Sequence, residues 1–153
     1  VNFTEIQKKL YEDGPPDMLT ILMRRYMMRI AESLAVRRRC GALVTGENLG
    51  QVASQTMDSL ISINSVVTLP VFRPLIGFDK VEIMDRAREI GTYETSILPY
   101  QDCCSVFVPK HPATRPRAGE AEAAEAALEV DGWVEQALDT VETLIIQPSE
   151  GNW

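Results

Sequence analysis

The stretch Ala42-Leu43-Val44-Thr45-Gly46-Glu47-Asn48-Leu49-Gly50 decides how this chain is read. Its first four residues form a short apolar run between two glycines, which fits a buried parallel strand. The loop Gly46 to Gly50 then leads into a helix expected from about Gln51 to Ile63. Open α/β sheets bind ligands at such places, beyond the carboxyl end of a strand and ahead of a helix. Glycines let the backbone approach a ligand closely, and the helix N-terminus offers N–H donors to an anion. A tight strand-to-helix turn without a ligand is the plain alternative, because the loop is neither G-x-G-x-x-G nor a Walker loop.

Upstream of this stretch, apolar residues recur at Leu19, Leu22, Met23, Tyr26, Met27, Ile30 and Leu34, a helical stripe running from Asp17 to about Arg39. Gly41 is expected to stop that helix. Gly14, Pro15 and Pro16 mark the turn before it, preceded by a short helix from Ile6 to Tyr11 and by the end of a strand at Val1 to Glu5. Because the chain starts at Val1 in a strand-like run, it reads as a piece of something longer. Downstream, Val71 to Leu75 reads as a second strand, bounded and broken by Pro70 and Pro74. Asp79 and Glu82 make a capping box ahead of a helix that Gly91 ends. Thr92 to Lys110 is polar and irregular, and Pro109 to Gly119 is a linker or turn. Glu120 to Glu129 and Gly132 to Ile146 read as acidic, Ala-rich helices. Alternating helices and strands over the first two-thirds imply a doubly wound, mostly parallel α/β sheet.

The 153 residues carry a net charge of −7, but unevenly. Residues 1–117 hold all 15 basic and 13 acidic side chains, a net +2, whereas 118–153 hold 9 acids and no Lys or Arg. Arg24, Arg25, Arg29, Arg37, Arg38 and Arg39 stand against Glu32 alone, so residues 24–40 carry +5. Such a face suits a phosphate backbone, although a solvated helix face is the ordinary reading for most of these arginines. The apolar runs are far shorter than the ~20 residues needed to span a bilayer.

Three cysteines, two of them adjacent, do not form a secreted disulfide framework and point to a reducing compartment. Cys103 and Cys104 lie in a loop, where a thiolate is a nucleophile or a sulfur carrier; a structural role is the alternative. Cys40, beside a buried strand, is expected in the core. His111 is the only histidine, which leaves too few ligands for zinc.

Three strings carry a family resemblance: Thr45-Gly46-Glu47-Asn48-Leu49-Gly50-Gln51-Val52-Ala53-Ser54-Gln55-Thr56, Arg73-Pro74-Leu75-Ile76-Gly77-Phe78-Asp79-Lys80, and Leu98-Pro99-Tyr100-Gln101-Asp102-Cys103-Cys104. Together with Val1 to Glu5 and Arg24 to Met27, they closely resemble the tRNA 4-thiouridine synthetase (ThiI) family, in order over nearly the whole chain. The resemblance implies the second part of a PP-loop, or adenine nucleotide α-hydrolase, domain. By motif, Arg24, Gly46 and Gln55 match positions that contact ATP in the family, and Cys103 matches its essential cysteine. Cys104 departs from members with one Cys here and is a candidate second or resolving thiol. The implied reaction adenylates a tRNA uridine with ATP and its Mg2+, then delivers persulfide sulfur from a cysteine desulfurase or other donor to give 4-thiouridine. The family also supplies sulfur to thiamine thiazole synthesis. The implied setting is cytoplasmic, without a membrane, and homodimerisation is left open. The family's S-G-G-x-D-S phosphate loop is expected ahead of Val1, so the chain alone is not expected to be a complete catalyst. Residues 1–117 are assigned to this ATP-binding domain, 118–147 to acidic helices packed on it, and 148–153 to a tail. Another PP-loop tRNA thiolase or ATP pyrophosphatase, and a non-catalytic interaction domain of the same fold, are the alternatives.

Overall fold

In the computed structural model, residues 1–50, 55–100 and 118–146 are described. Their elements are α1 (Thr4–Asp13), a 3-10 turn (Pro16–Met18), α2 (Leu19–Arg37), β1 (Leu43–Val44), α3 (Met57–Asn64), β2 (Val71–Phe72), α4 (Lys80–Glu89), α5 (Tyr93–Ser96), α6 (Ala118–Glu125) and α7 (Val130–Leu138). The two strands are parallel, with Leu43 opposite Val71 and Val44 opposite Phe72. The ladder extends through Leu43 N–H to Pro70 O at 2.8 Å and Thr45 N–H to Phe72 O at 3.0 Å.

The long helix α2 is the centre of the molecule. Leu19, Ile21, Leu22, Met23, Tyr26, Met28 and Ile30 are all buried along it, so more than one face is covered. Helices α1, α3, α6 and α7 and strand β1 all pack against it. From α7, Trp133, Val134, Ala137 and Leu138 join this core, and Trp133 stacks on Tyr26 with ring centroids 5.7 Å apart. Apolar burial on this scale supplies roughly 1.5–3 kcal/mol for each large side chain, which holds the small sheet seen among the described residues in place.

Several sequence expectations shift. Val1 to Glu5 is not a strand: α1 begins at Thr4, since Ile6 and Leu10, four residues apart, bury one helical face. The Asn2 carboxamide accepts from the Thr4 N–H at 3.0 Å, and the Asn2 N–H donates to Thr140 at 2.8 Å, which ties the opening residues to the end of α7. Helix α2 ends at Arg37, before Gly41, and the left-handed residue there is Arg39, with φ 58°. That turn carries Cys40 outward, so Cys40 is exposed and free rather than in the core. The capping box is present as read: Asp79 accepts from Glu82 N–H at 2.9 Å and Glu82 accepts from Asp79 N–H at 2.7 Å. Gly91 follows this helix with φ 72°, a left-handed conformation that favours glycine. α6 and α7 stop earlier than expected, and Leu144, Ile145 and Ile146 lie exposed beyond them. Among the described residues, no helix is long and apolar enough to cross a membrane.

Candidate functional site

The loop Gly46–Gly50 leaves the carboxyl end of β1 beside the segment that follows β2. Asn48 is buried and fastens the two together: its Nδ2 donates to Leu75 O at 3.0 Å and to Phe78 O. Leu49 N–H also donates to Ile76 O at 3.1 Å. The loop therefore rests on the sheet's carboxyl end rather than on its own turn geometry. Beside it, Asn48, Leu49, Gly50, Ile76, Phe78 and Lys80 border a cavity of about 670 Å³.

Glu47 is the buried charge of this loop, only 5% exposed. The Arg24 Nη2 from α2 donates to one of its carboxylate oxygens. The other oxygen accepts from Arg73 Nε at 2.5 Å and from Thr45 Oγ1 at 3.0 Å. A buried carboxylate is costly unless it is paired and hydrogen-bonded, and here both oxygens are satisfied.

Of the residues singled out from sequence, Arg24, Gly46 and Gln55 all meet this loop. Arg24 holds Glu47, next to Gly46, and the Gln55 carbonyl accepts from Gly50 N–H at 2.8 Å. Gln55 lies directly ahead of Thr56, the N-cap of α3, and residues 51–54, where the expected helix would begin, lie outside the described residues. Its side-chain Oε1 is buried without a hydrogen-bond partner among the described residues. An orphaned polar atom in such a place calls for a partner. Gly46 is exposed, has no left-handed φ, and a Cβ added there would meet no described atom within 4 Å. Among the described residues that space is open, as close approach of a ligand requires. This loop thus fits a nucleotide. Cys103, Cys104 and His111 lie outside the described residues.

The arginines divide in a way that spacing alone did not show. Arg37, Arg38 and Arg39 are exposed, as a solvated face requires. Arg25, by contrast, is only 1% exposed, and Arg29 is half-buried beside it. Both grip Glu125 of α6: Arg25 Nη2 at 2.7 Å, and Arg29 bidentately at 2.6 and 2.8 Å. These two are structural clasps and leave Arg24 as the residue of that cluster at the loop. Glu47, Asn48 and Arg73 were not singled out from sequence; an acid and an amide directly inside a glycine-bounded loop are the signal that could have found the first two.

The sequence model of the family "Thiamine biosynthesis protein (ThiI)" matches residues 1–130. A probable tRNA sulfurtransferase of Lachnoclostridium phytofermentans is 55% identical over 149 residues, covering 96% of this chain and 38% of that protein. One from Clostridium perfringens is 54% identical over 147 residues, with the same coverage of 96% and 38%. The chain thus spans well under half the length of these curated relatives. A crystal structure of a 4-thiouridine synthetase–RNA complex with bound ATP superposes with a TM-score of 0.85 at 48% identity, over 92% of this chain and 36% of that one. Likeness at this level shows that this chain shares its fold, helices around a small parallel sheet among the described residues, with part of that 4-thiouridine synthetase. On a match running through residues 1–130, the chain belongs to the ThiI family.

Proposed function

We propose that this chain is the second part of the PP-loop domain of an ATP-dependent tRNA sulfurtransferase that converts a tRNA uridine to 4-thiouridine. The observation that carries the reading is the convergence of Arg24, Gly46 and Gln55 on one loop at the carboxyl end of β1. The names of the relatives and of the superposing RNA complex with ATP support the same reaction. In the whole protein the two strands belong to a larger, doubly wound parallel sheet that brings the S-G-G-x-D-S phosphate loop. Helices α6 and α7, within the 118–147 segment, pack on the same domain. The whole protein works in the cytoplasm.

ATP, when bound, supplies the adenylyl group that activates the uridine carbonyl. Each residue of this chain has a defined share of the work. The Arg24 guanidinium, steadied by Glu47, pairs with phosphate oxygens; charge-assisted hydrogen bonds of this kind are the strong ones. Gly46 keeps the loop backbone bare so that the nucleotide can lie against it. The Gln55 carboxamide, whose Oε1 has no partner among the described residues, hydrogen-bonds the nucleotide. Mg2+ accompanies the phosphates. Cys103 handles the sulfur, received as a persulfide from a cysteine desulfurase or a similar donor, and Cys104 is the neighbouring second thiol. The same sulfur transfer extends to thiamine thiazole synthesis.

The test is ATP-dependent thiolation of unmodified tRNA by the full-length protein with a persulfide donor. Nucleoside analysis should find 4-thiouridine, and 2-thiouridine instead would assign another PP-loop thiolase. In the same protein, Arg24→Ala should weaken ATP binding by about 1–3 kcal/mol, the worth of a charged hydrogen bond. Unaltered binding would return Arg24 to a purely structural role.

A further inference from the structure

Two walls meet beside the Gly46–Gly50 loop without filling the space between them. One is the loop itself at Leu49 and Gly50, and the other is the segment Ile76 to Lys80 that leads from β2 into α4. Asn48 holds the walls together by donating to Leu75 O and Phe78 O, and Leu49 N–H donates to Ile76 O. The cavity between them, about 670 Å³, has the size that takes a small molecule or a single nucleotide. Its apolar lining is Leu49, Ile76 and Phe78; Leu49 is 43% exposed and the other two are half-buried. Lys80, exposed in the first turn of α4, adds a positive charge at the rim. Arg24, Gly46 and Gln55 are not among the described residues that line it. The loop is nonetheless common to both, since Gly50 N–H donates to Gln55 O at 2.8 Å. The nucleotide residues and the cavity are thus neighbours on one loop.

We propose that this cavity seats the uridine that is modified, with its base against Leu49, Ile76 and Phe78 and its backbone phosphate near Lys80. This inference rests on the tRNA sulfurtransferase reading above and gives the acceptor its place within it. In the adenylation, the uridine carbonyl oxygen bonds to the α-phosphorus of ATP as the bond to the bridging oxygen breaks. Pyrophosphate leaves, and the ring N–H proton passes to solvent. Such an attack needs the reacting atoms within about 3–3.5 Å, so the acceptor must lie next to the nucleotide and share a wall with it. A uridine drawn out of a folded RNA loses its stacking partners, and apolar and aromatic side chains replace them in enzymes that act on single bases. The phosphate that travels with the base matches a cation at the rim. With ATP read onto Arg24, Gly46 and Gln55, the adjoining cavity is left to the second reactant.

The experiment makes two measurements on the full-length protein: ATP binding by calorimetry, and pyrophosphate released in a single turnover with unmodified tRNA. Wild type, Phe78→Ala, Phe78→Tyr and Leu49→Trp are compared, with folding of each checked by circular dichroism and thermal melting. Phe78→Ala removes the ring, so pyrophosphate release should slow at least ten-fold while ATP affinity changes less than two-fold. Phe78→Tyr keeps a ring and should retain at least half of the wild-type rate. Leu49→Trp fills the cavity from a partly exposed position and should slow release at least ten-fold, again with ATP affinity kept. This arm decides the matter if Phe78→Ala fails to fold. Wild-type release by the folded Phe78→Ala or Leu49→Trp protein would overturn the proposal. So would a ten-fold loss of ATP affinity in either, which would assign the cavity to the nucleotide instead. If Arg24→Ala loses ATP affinity while these variants release pyrophosphate normally, this inference fails and the ATP reading stands. If wild type itself binds no ATP, both fail.

Discussion

Arg25 on α2 donates to Glu125 on α6 at 2.7 Å across one hundred positions of sequence, and both side chains are buried. The same guanidinium reaches the end of α3, donating to Ser62 O at 2.5 Å and Ser65 Oγ at 2.9 Å. One arginine thus clasps three helices, and Arg29 completes the pairing of Glu125. Removing the acid would strand two arginines, one of them deeply buried. Glu125→Ala should therefore cost about 3 kcal/mol or more, as broken buried pairs do. Urea unfolding of the chain measures this, and a loss under 1 kcal/mol would show the clasp to be idle.

The same carboxylate sets an acid dependence. Burial opposes its ionisation, but hydrogen bonds from Arg29 and Arg25 outweigh this and hold the Glu125 carboxyl below its ordinary 4.5. Glu32 is lowered too: burial opposes it, and N–H groups of Leu69 and Thr68 overcome that. A carboxyl lowered in the folded state stabilises above its unfolded value, and that contribution is lost as pH falls through the folded value. Stability should fall on acidification below about pH 4.5, and Glu125→Gln should flatten part of that slope. Unfolding free energies at several pH values give the comparison; an unchanged slope would remove Glu125 from it.

Tyr26 makes the opposite case. Its ring is buried against Trp133, yet its hydroxyl is buried with no hydrogen-bond partner among the described residues. An unsatisfied buried hydroxyl costs about 1–3 kcal/mol. Tyr26→Phe should leave the chain as stable or raise its stability by about 1 kcal/mol. A clear loss in thermal or urea unfolding would mean that the hydroxyl has a partner.

Gly46 separates folding from ligand binding. No described atom lies within 4 Å of a Cβ placed there, and its backbone needs no left-handed φ. Gly46→Ala should thus leave the melting temperature of the chain within a few degrees of wild type. In the full-length protein it should weaken ATP binding measurably. Destabilisation without loss of affinity would make the glycine a folding residue.

Much of this was readable in advance, for physical reasons that differ from residue to residue. The Asp79–Glu82 box is local, three residues apart, so sequence suffices to read it. Val1 to Glu5 misled because a five-residue run cannot separate a strand from a helix start, and burial of Ile6 and Leu10 on one helical face decides it. Cys40 misled because its burial depended on Arg39, a non-glycine residue at positive φ that spacing does not reveal. At the loop, Arg24, Gly46 and Gln55 were marked by their motif. Arg73 and Glu47 were hidden because their importance lies in a contact spanning 26 positions. Arg25 and Arg29 differ from Arg37 above all through their shared partner Glu125, about a hundred residues away.

For the sulfur-handling step, Cys103→Ser in the full-length protein should abolish thiolation while ATP binding persists. Cys104→Ser should slow thiolation without abolishing it. Full thiolation by the Cys103 variant would take that residue out of the mechanism.

The central claim is that this chain serves in ATP-dependent 4-thiouridine formation. Its most direct test is mass-spectrometric measurement of 4-thiouridine in bulk tRNA from a bacterial strain lacking that nucleoside, supplied with the full-length protein or its Arg24→Ala variant. The account predicts 4-thiouridine with the wild type and a severe loss with the variant. Absence of 4-thiouridine with well-expressed, folded wild-type protein would contradict it.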